Sequence, residues 1–137
     1  MFDFGGKTAL ITGASYGLGE EFAYAFAEAG ADLILTARSE ELLQAVAKKC
    51  RESGSKVTVV PGDIAIERDV QSVIEAGLAA HGQIDVLINN AGIADARGVA
   101  AEQFDAETFN RILSVDLAGA FYFARDCGRH MLQRGRG

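Results

Sequence analysis

The stretch TALITGASYGLGEEF, Thr8 to Phe22, passes from an apolar run to a helical pattern through three glycines, Gly13, Gly17 and Gly19. Three demands meet at such a junction. The chain must turn sharply out of a strand, its backbone must approach a ligand, and the following helix must pack close to the sheet. Each is met by omitting a Cβ. The N-terminus of the helix adds unpaired N–H groups and a positive dipole end, which favour a phosphate. The spacing, Thr12-Gly13-x-x-x-Gly17-x-Gly19, is not the common G-x-G-x-x-G. Nor is it a nucleotide-hydrolase P-loop, because Glu20 stands where Lys and Ser/Thr would follow. Taken alone, a glycine-rich turn can also be an ordinary loop.

Working outward, apolar runs alternate with helical patterns. Lys7–Ile11 reads as a buried strand, and Gly19–Ala29 as a helix stopped by Gly30. Asp32–Thr36 is a second strand. Ser39 caps a helix running to about Glu52, with Glu40 and Glu41 in its dipole-favoured first turn. Lys56–Val60 is a third strand, Glu67–Ala80 a helix and Ile84–Ile88 a fourth strand. A long loop from Ala91 to about Phe104 precedes one long helix, from near Ala106 to about Gln133. Gly77 inside its helix costs about 1 kcal/mol relative to Ala unless close packing requires it. Short, continuously apolar strands separated by helices indicate parallel βαβ units in a single α/β domain spanning 1–137.

Composition narrows the function. The 137 residues are 49% hydrophobic and 23% charged, with a net charge of −6, an ordinary globular balance. No basic stripe for a nucleic acid runs through the body of the chain; only Arg125, Arg129, Arg134 and Arg136 cluster. No apolar run approaches a membrane span, and MFDFGGK is not a secretion signal. A cytoplasmic location is the expectation. Cys50 and Cys127 lie far apart, and His81 and His130 are isolated, so no metal-type spacing exists. Free thiols in a reducing compartment fit this pattern.

Two further motifs stand at the ends of strands: Asp63-Ile64 past the third, and Asn89-Asn90-Ala91-Gly92 at the fourth. Taken alone, Asp63 reads as a solvated turn residue after Pro61-Gly62. The Asn pair reads as a turn bonded to its own backbone. With T-G-x-x-x-G-x-G, the three in this order resemble the short-chain dehydrogenase/reductase family over the whole chain. The resemblance implies a Rossmann-like three-layer fold with a parallel sheet in the order 3-2-1-4, the later strands absent from this chain. It implies that Gly13, Ser15, Tyr16, Gly17, Leu18 and Gly19 hold the pyrophosphate and adenosine ribose. Asp63 would accept from the adenine amino group beside Ile64. Asn90, Ala91 and Gly92 would lie near the central riboses.

The end of the second strand bears on cofactor choice. An acid there bonds the ribose hydroxyl of NAD and repels the extra phosphate of NADP. Ala37 stands at that place, and Arg38 follows, able to fork onto a 2′-phosphate. NADP(H) is therefore favoured over NAD(H). Two facts count against it: Arg38 can instead pair with Glu40 or Glu41, and Tyr16 stands where many NADP-binding relatives carry Lys or Arg.

The family's chemistry resembles hydride transfer between a secondary alcohol and a ketone. A Tyr is its acid/base, its pKa lowered by a Lys four residues on, with a Ser on the substrate oxygen. Four residues after Tyr16, Tyr24 and Tyr122 stand Glu20, Glu28 and Asp126, so no Tyr-x-x-x-Lys exists here. Asp116 occupies the position where the family usually has Asn, which leaves its side-chain role in doubt. The resemblance thus implies the N-terminal, cofactor-binding half of an oxidoreductase, inactive alone. The alternative is a nucleotide-binding half-module completed by another chain or by self-association. The long helix commonly makes subunit contacts in the family, so a homo-oligomer acting on a small carbonyl or alcohol substrate is expected.

Overall fold

The apolar runs form strands β1 (Thr8–Thr12), β2 (Asp32–Thr36), β3 (Val57–Val59) and β4 (Val86–Ile88). A computed structural model describes residues 2–137. Among these, the strands make one parallel sheet in the order β3-β2-β1-β4. The order expected from the resemblance is the one found.

Alternation along each strand divides the core in two. Ala9 and Ile11 of β1, with Leu33 and Leu35 of β2, pack under α1 (Gly17–Glu28) and α2 (Glu40–Glu52). Leu10 and Ile34 point the other way, toward α3 (Glu67–His81) and α5 (Ala120–Arg134). Burial of Leu10, Ile34 and Phe123 is complete, each worth about 1.5–3 kcal/mol. Both faces of the central strands are thereby covered, which is why those strands read as continuous apolar runs. Gly77 of α3 is explained by close packing. A Cβ there would lie 2.5 Å from Ile34 Cδ1.

Element bounds differ slightly from expectation. β1 begins at Thr8 and β4 at Val86. Before β4, Asp85 serves another purpose: its N–H donates to the Thr8 carbonyl and its Oδ2 accepts from the Thr8 N–H, both at 2.9 Å. Arg134 Nη2 completes the site by donating to Asp85 Oδ1 at 2.9 Å.

The long helix expected from near Ala106 to about Gln133 forms without a break, but its winding changes midway. There α4 (Ala106–Leu113) passes into a π-helical stretch, Ser114–Gly119, before α5. The cause is partly local. Ser114 Oγ donates to the Asn110 carbonyl at 2.7 Å, competing with the helical ladder. Gly119 then lies so close to the loop after β3 that a Cβ would stand 2.7 Å from the Ile64 carbonyl oxygen.

Candidate functional site

β2 and β3 extend the sheet on one side of β1, and β4 lies on the other. A parallel sheet that reverses direction in this way opens a crevice at its C-terminal edge, beside β1. There a cleft of about 620 Å³ is lined by Gly13, Ser15, Tyr16, Gly17, Leu18, Arg38, Asp63, Ile64, Asn90, Ala91 and Gly92, among others. Residues from five separated stretches of sequence, Arg111 and Val115 forming the last, are brought together. The volume lies within the usual range of cofactor sites.

The three glycines have different tasks. Gly13, at φ +64°, turns the chain; a Cβ there would lie 2.8 Å from Ala91 Cα. Gly17, at φ +62°, has nothing within 4 Å of its missing Cβ and borders the cleft. It leaves room for a ligand against the first turn of α1. Gly19 sits in the first turn of α1, behind the residues that line the cleft. It is buried, with its missing Cβ 2.1 Å from the Gly13 carbonyl oxygen and 2.6 Å from Asn90 Nδ2. Its service is to let α1 meet the loop.

Thr12 and Asn90 knot that loop to the end of β4. Thr12 Oγ1 donates to the Ile88 carbonyl at 3.3 Å and accepts from the N–H groups of Asn90 at 3.1 Å and Ala91 at 3.0 Å. Asn90 Nδ2 in turn donates to the Thr12 and Gly13 carbonyls, at 3.0 and 3.2 Å. The amide of Asn90 therefore supports the glycine loop from behind.

The helix start suits an anion. Ser39 caps α2 and Asp105 caps α4 with side-chain oxygens, but Tyr16, at the N-cap of α1, makes no such bond. The first-turn N–H groups of α1 are left for another acceptor beside the cleft.

On the opposite wall, Asp63 Oδ1 accepts from the Ala65 N–H at 3.0 Å, and Oδ2 accepts from Arg111 Nη2 at 2.7 Å. Burial opposes ionisation of Asp63. The Arg111 guanidinium, the Ala65 N–H and the nearby charge of Arg38 outweigh it and hold the carboxyl below its ordinary value. Arg38 lines the cleft and, among the described residues, has no ion pair with Glu40 or Glu41.

Against this geometry stand the comparisons. The short chain dehydrogenase family profile matches residues 7–137. The chain belongs to the short-chain dehydrogenase family. It is 35% identical over 132 residues to 3beta-hydroxysteroid dehydrogenase 2 of Eggerthella lenta, covering 96% of this chain and 50% of that protein. The chain thus spans between about a third and a half of the length of the curated relatives it matches. A metagenomic short-chain oxidoreductase solved with NADP superposes with a TM-score of 0.92 at 30% identity, over 98% of this chain and 60% of the other. A family member from Burkholderia phymatum solved with NAD gives 0.93 at 31%, over 100% and 48%.

Within this family member, Asp116 is exposed beside the cleft and bonds one of the residues that line it. Its Oδ1 accepts from the Ile93 N–H at 2.8 Å, holding the chain just after Asn89–Gly92. Residues not singled out from sequence include Ile93, Val115 and Arg111, all lining the cleft. Arg111 and Val115 are four apart and share a helical face, a pattern that was present in the sequence but polar at one end. Among the described residues no cluster of His, Cys, Asp or Glu could hold a metal, and no helix is long and apolar enough to cross a membrane.

Proposed function

We propose that this chain is the cofactor-binding half of an NADP(H)-preferring oxidoreductase that interconverts a secondary alcohol and a ketone. The observation that carries it is the single cleft joining an uncapped helix start, Arg38, Asp63 and the Asn90–Gly92 turn. Gly13 to Leu18 would hold the pyrophosphate and adenosine ribose. Asp63 and Ile64 would take the adenine, and Asn90 to Gly92 the central riboses. The bound nicotinamide supplies or accepts the hydride. Arg38 offers a 2′-phosphate a charge-assisted fork worth roughly 1.5–3 kcal/mol, about one to two decades in affinity. Relatives solved with NAD and with NADP make the preference a matter for this chain's own residues. Without Tyr-x-x-x-Lys, the 137 residues alone bind cofactor and do not turn it over. A cytoplasmic, homo-oligomeric protein completes the proposal.

Titration of NADPH and NADH against the protein and its Arg38→Ala variant tests it. Arg38→Ala should weaken NADPH about 10- to 100-fold and NADH little. Unchanged NADPH affinity refutes the preference.

A second reading, a nucleotide-binding half-module completed by another chain or a second copy, draws on two features. Among the described residues β4 pairs with β1 alone. Phe109, Leu113, Leu117 and Phe121 form an exposed apolar stripe. Nucleotide binding that appears only when copies of this chain associate, and is lost on dilution to the monomer, would favour it.

A further inference from the structure

Arg111 has no part in the cofactor contacts expected from sequence, yet it lies in the cleft wall. It reaches from α4 to the loop after β3, 48 residues away, and meets Asp63 Oδ2 at 2.7 Å. Both side chains are only partly exposed, at 39% and 24%. Among the described residues, Arg111 is the only side chain donating to that carboxylate; the other donor is the Ala65 N–H on Oδ1. The backbone of Asp63 is fixed separately, its N–H donating to Asp69 Oδ2 at 2.9 Å. The loop is therefore held without Arg111, whereas the direction of the carboxylate is set by Arg111 on Oδ2 together with the Ala65 N–H on Oδ1. An ionised carboxylate has about four acceptor sites, so two engaged donors leave capacity for a third.

We propose that Arg111 is a positioning residue of the adenine pocket. Its ion pair holds the Asp63 carboxylate in the orientation that accepts from an exocyclic amine, and so sets the preference for adenine over a purine lacking that amine. The proposal rests on the dinucleotide assignment above and deepens it. Discrimination of this kind is effective because an acceptor that a bound base covers, and that faces another acceptor, is left unpaired. A carboxylate held by the Ala65 N–H alone can swing its Oδ2 toward water and loses the discrimination. A mere brace between α4 and the loop would affect stability, or all nucleotides alike, and would not distinguish bases.

The test compares NADPH with its hypoxanthine analogue, in which a carbonyl replaces the adenine amine. Dissociation constants are measured for the protein, Arg111→Ala, Arg111→Lys and Asp63→Ala. The protein should prefer NADPH by about tenfold. Arg111→Ala should reduce that preference to under about threefold by weakening NADPH, with the analogue unchanged. Arg111→Lys should restore part of it, and Arg111→Ala should add nothing in an Asp63→Ala background. A retained preference in Arg111→Ala, or equal weakening of both dinucleotides, overturns the proposal while leaving cofactor binding intact. Binding of neither dinucleotide by the unaltered protein overturns the cofactor assignment itself, and this inference with it.

Discussion

Gly19→Ala is the perturbation whose cost follows most directly from the packing. Replacing a helical glycine by alanine ordinarily stabilises by about 0.5–1 kcal/mol. Here the new methyl would lie 2.1 Å from the Gly13 carbonyl oxygen and 2.6 Å from Asn90 Nδ2. Neither neighbour can yield cheaply. Gly13 is backbone in a turn, and the Asn90 amide is committed to the Thr12 and Gly13 carbonyls. Overpacking a rigid site costs about 1–3 kcal/mol, more where backbone must shift, so the net change is a loss of roughly 1–2 kcal/mol. For a domain of this size that lowers the midpoint by about 4–8 °C. The control is Gly17→Ala. Nothing lies within 4 Å of its Cβ, so the cost is backbone strain at φ +62°, about 1 kcal/mol. Because Gly17 borders the cleft, that variant should weaken NADPH binding more than Gly19→Ala does for the same loss of stability. Thermal unfolding followed by circular dichroism, with NADPH fluorescence on the folded proteins, reads both. A Gly19→Ala midpoint within about 1 °C of the parent would refute the described contact between α1 and the glycine loop.

Two further outcomes concern the far end of the sheet. Arg134→Ala strips the buried Asp85 of its cationic partner and should cost about 2–3 kcal/mol in urea unfolding, with the m-value unchanged. Stability should also fall in acid for two reasons. Burial, reinforced by Lys56 and only partly opposed by Asp32, keeps the His81 pKa below its ordinary value, so the unfolded chain binds its proton more readily. Its stabilising share is present above about pH 6.5 and is lost as pH falls. Asp85, also held below its ordinary value despite burial, loses its share only below about pH 4. His81→Gln should flatten the first step in a pH series of unfolding free energies and leave the second.

The parts of the architecture legible in sequence are those decided locally. Leu33-Ile34-Leu35, short and set between two helical patterns, reads as a strand covered on both faces, and Ser39-Glu40-Glu41 carries its own helix start. The cleft was legible because T-G-x-x-x-G-x-G, Asp63-Ile64 and Asn90-Ala91-Gly92 each lie at a strand's C-terminal end, where a parallel sheet gathers them. What escaped depends on tertiary approach. Gly19 reads like its neighbouring glycines until its distance from Gly13 is known. The π-helical turn accompanies the Ser114 back-bond and the Gly119–Ile64 contact, and helical periodicity alone continues through it. Arg111 reads as a solvated cation until α4 is placed beside the loop that carries Asp63.

The central claim is that a dinucleotide lies in the cleft beside β1. Backbone amide chemical-shift mapping of the ¹⁵N-labelled protein during NADPH titration tests it most directly. The account predicts saturable shifts at Gly17 to Gly19, at Arg38, at Asp63 to Ala65 and at Asn90 to Ile93. Shifts confined to the polar groove between α3 and α5, around Arg125 and His130, would contradict it, as would a spectrum that NADPH leaves unmoved.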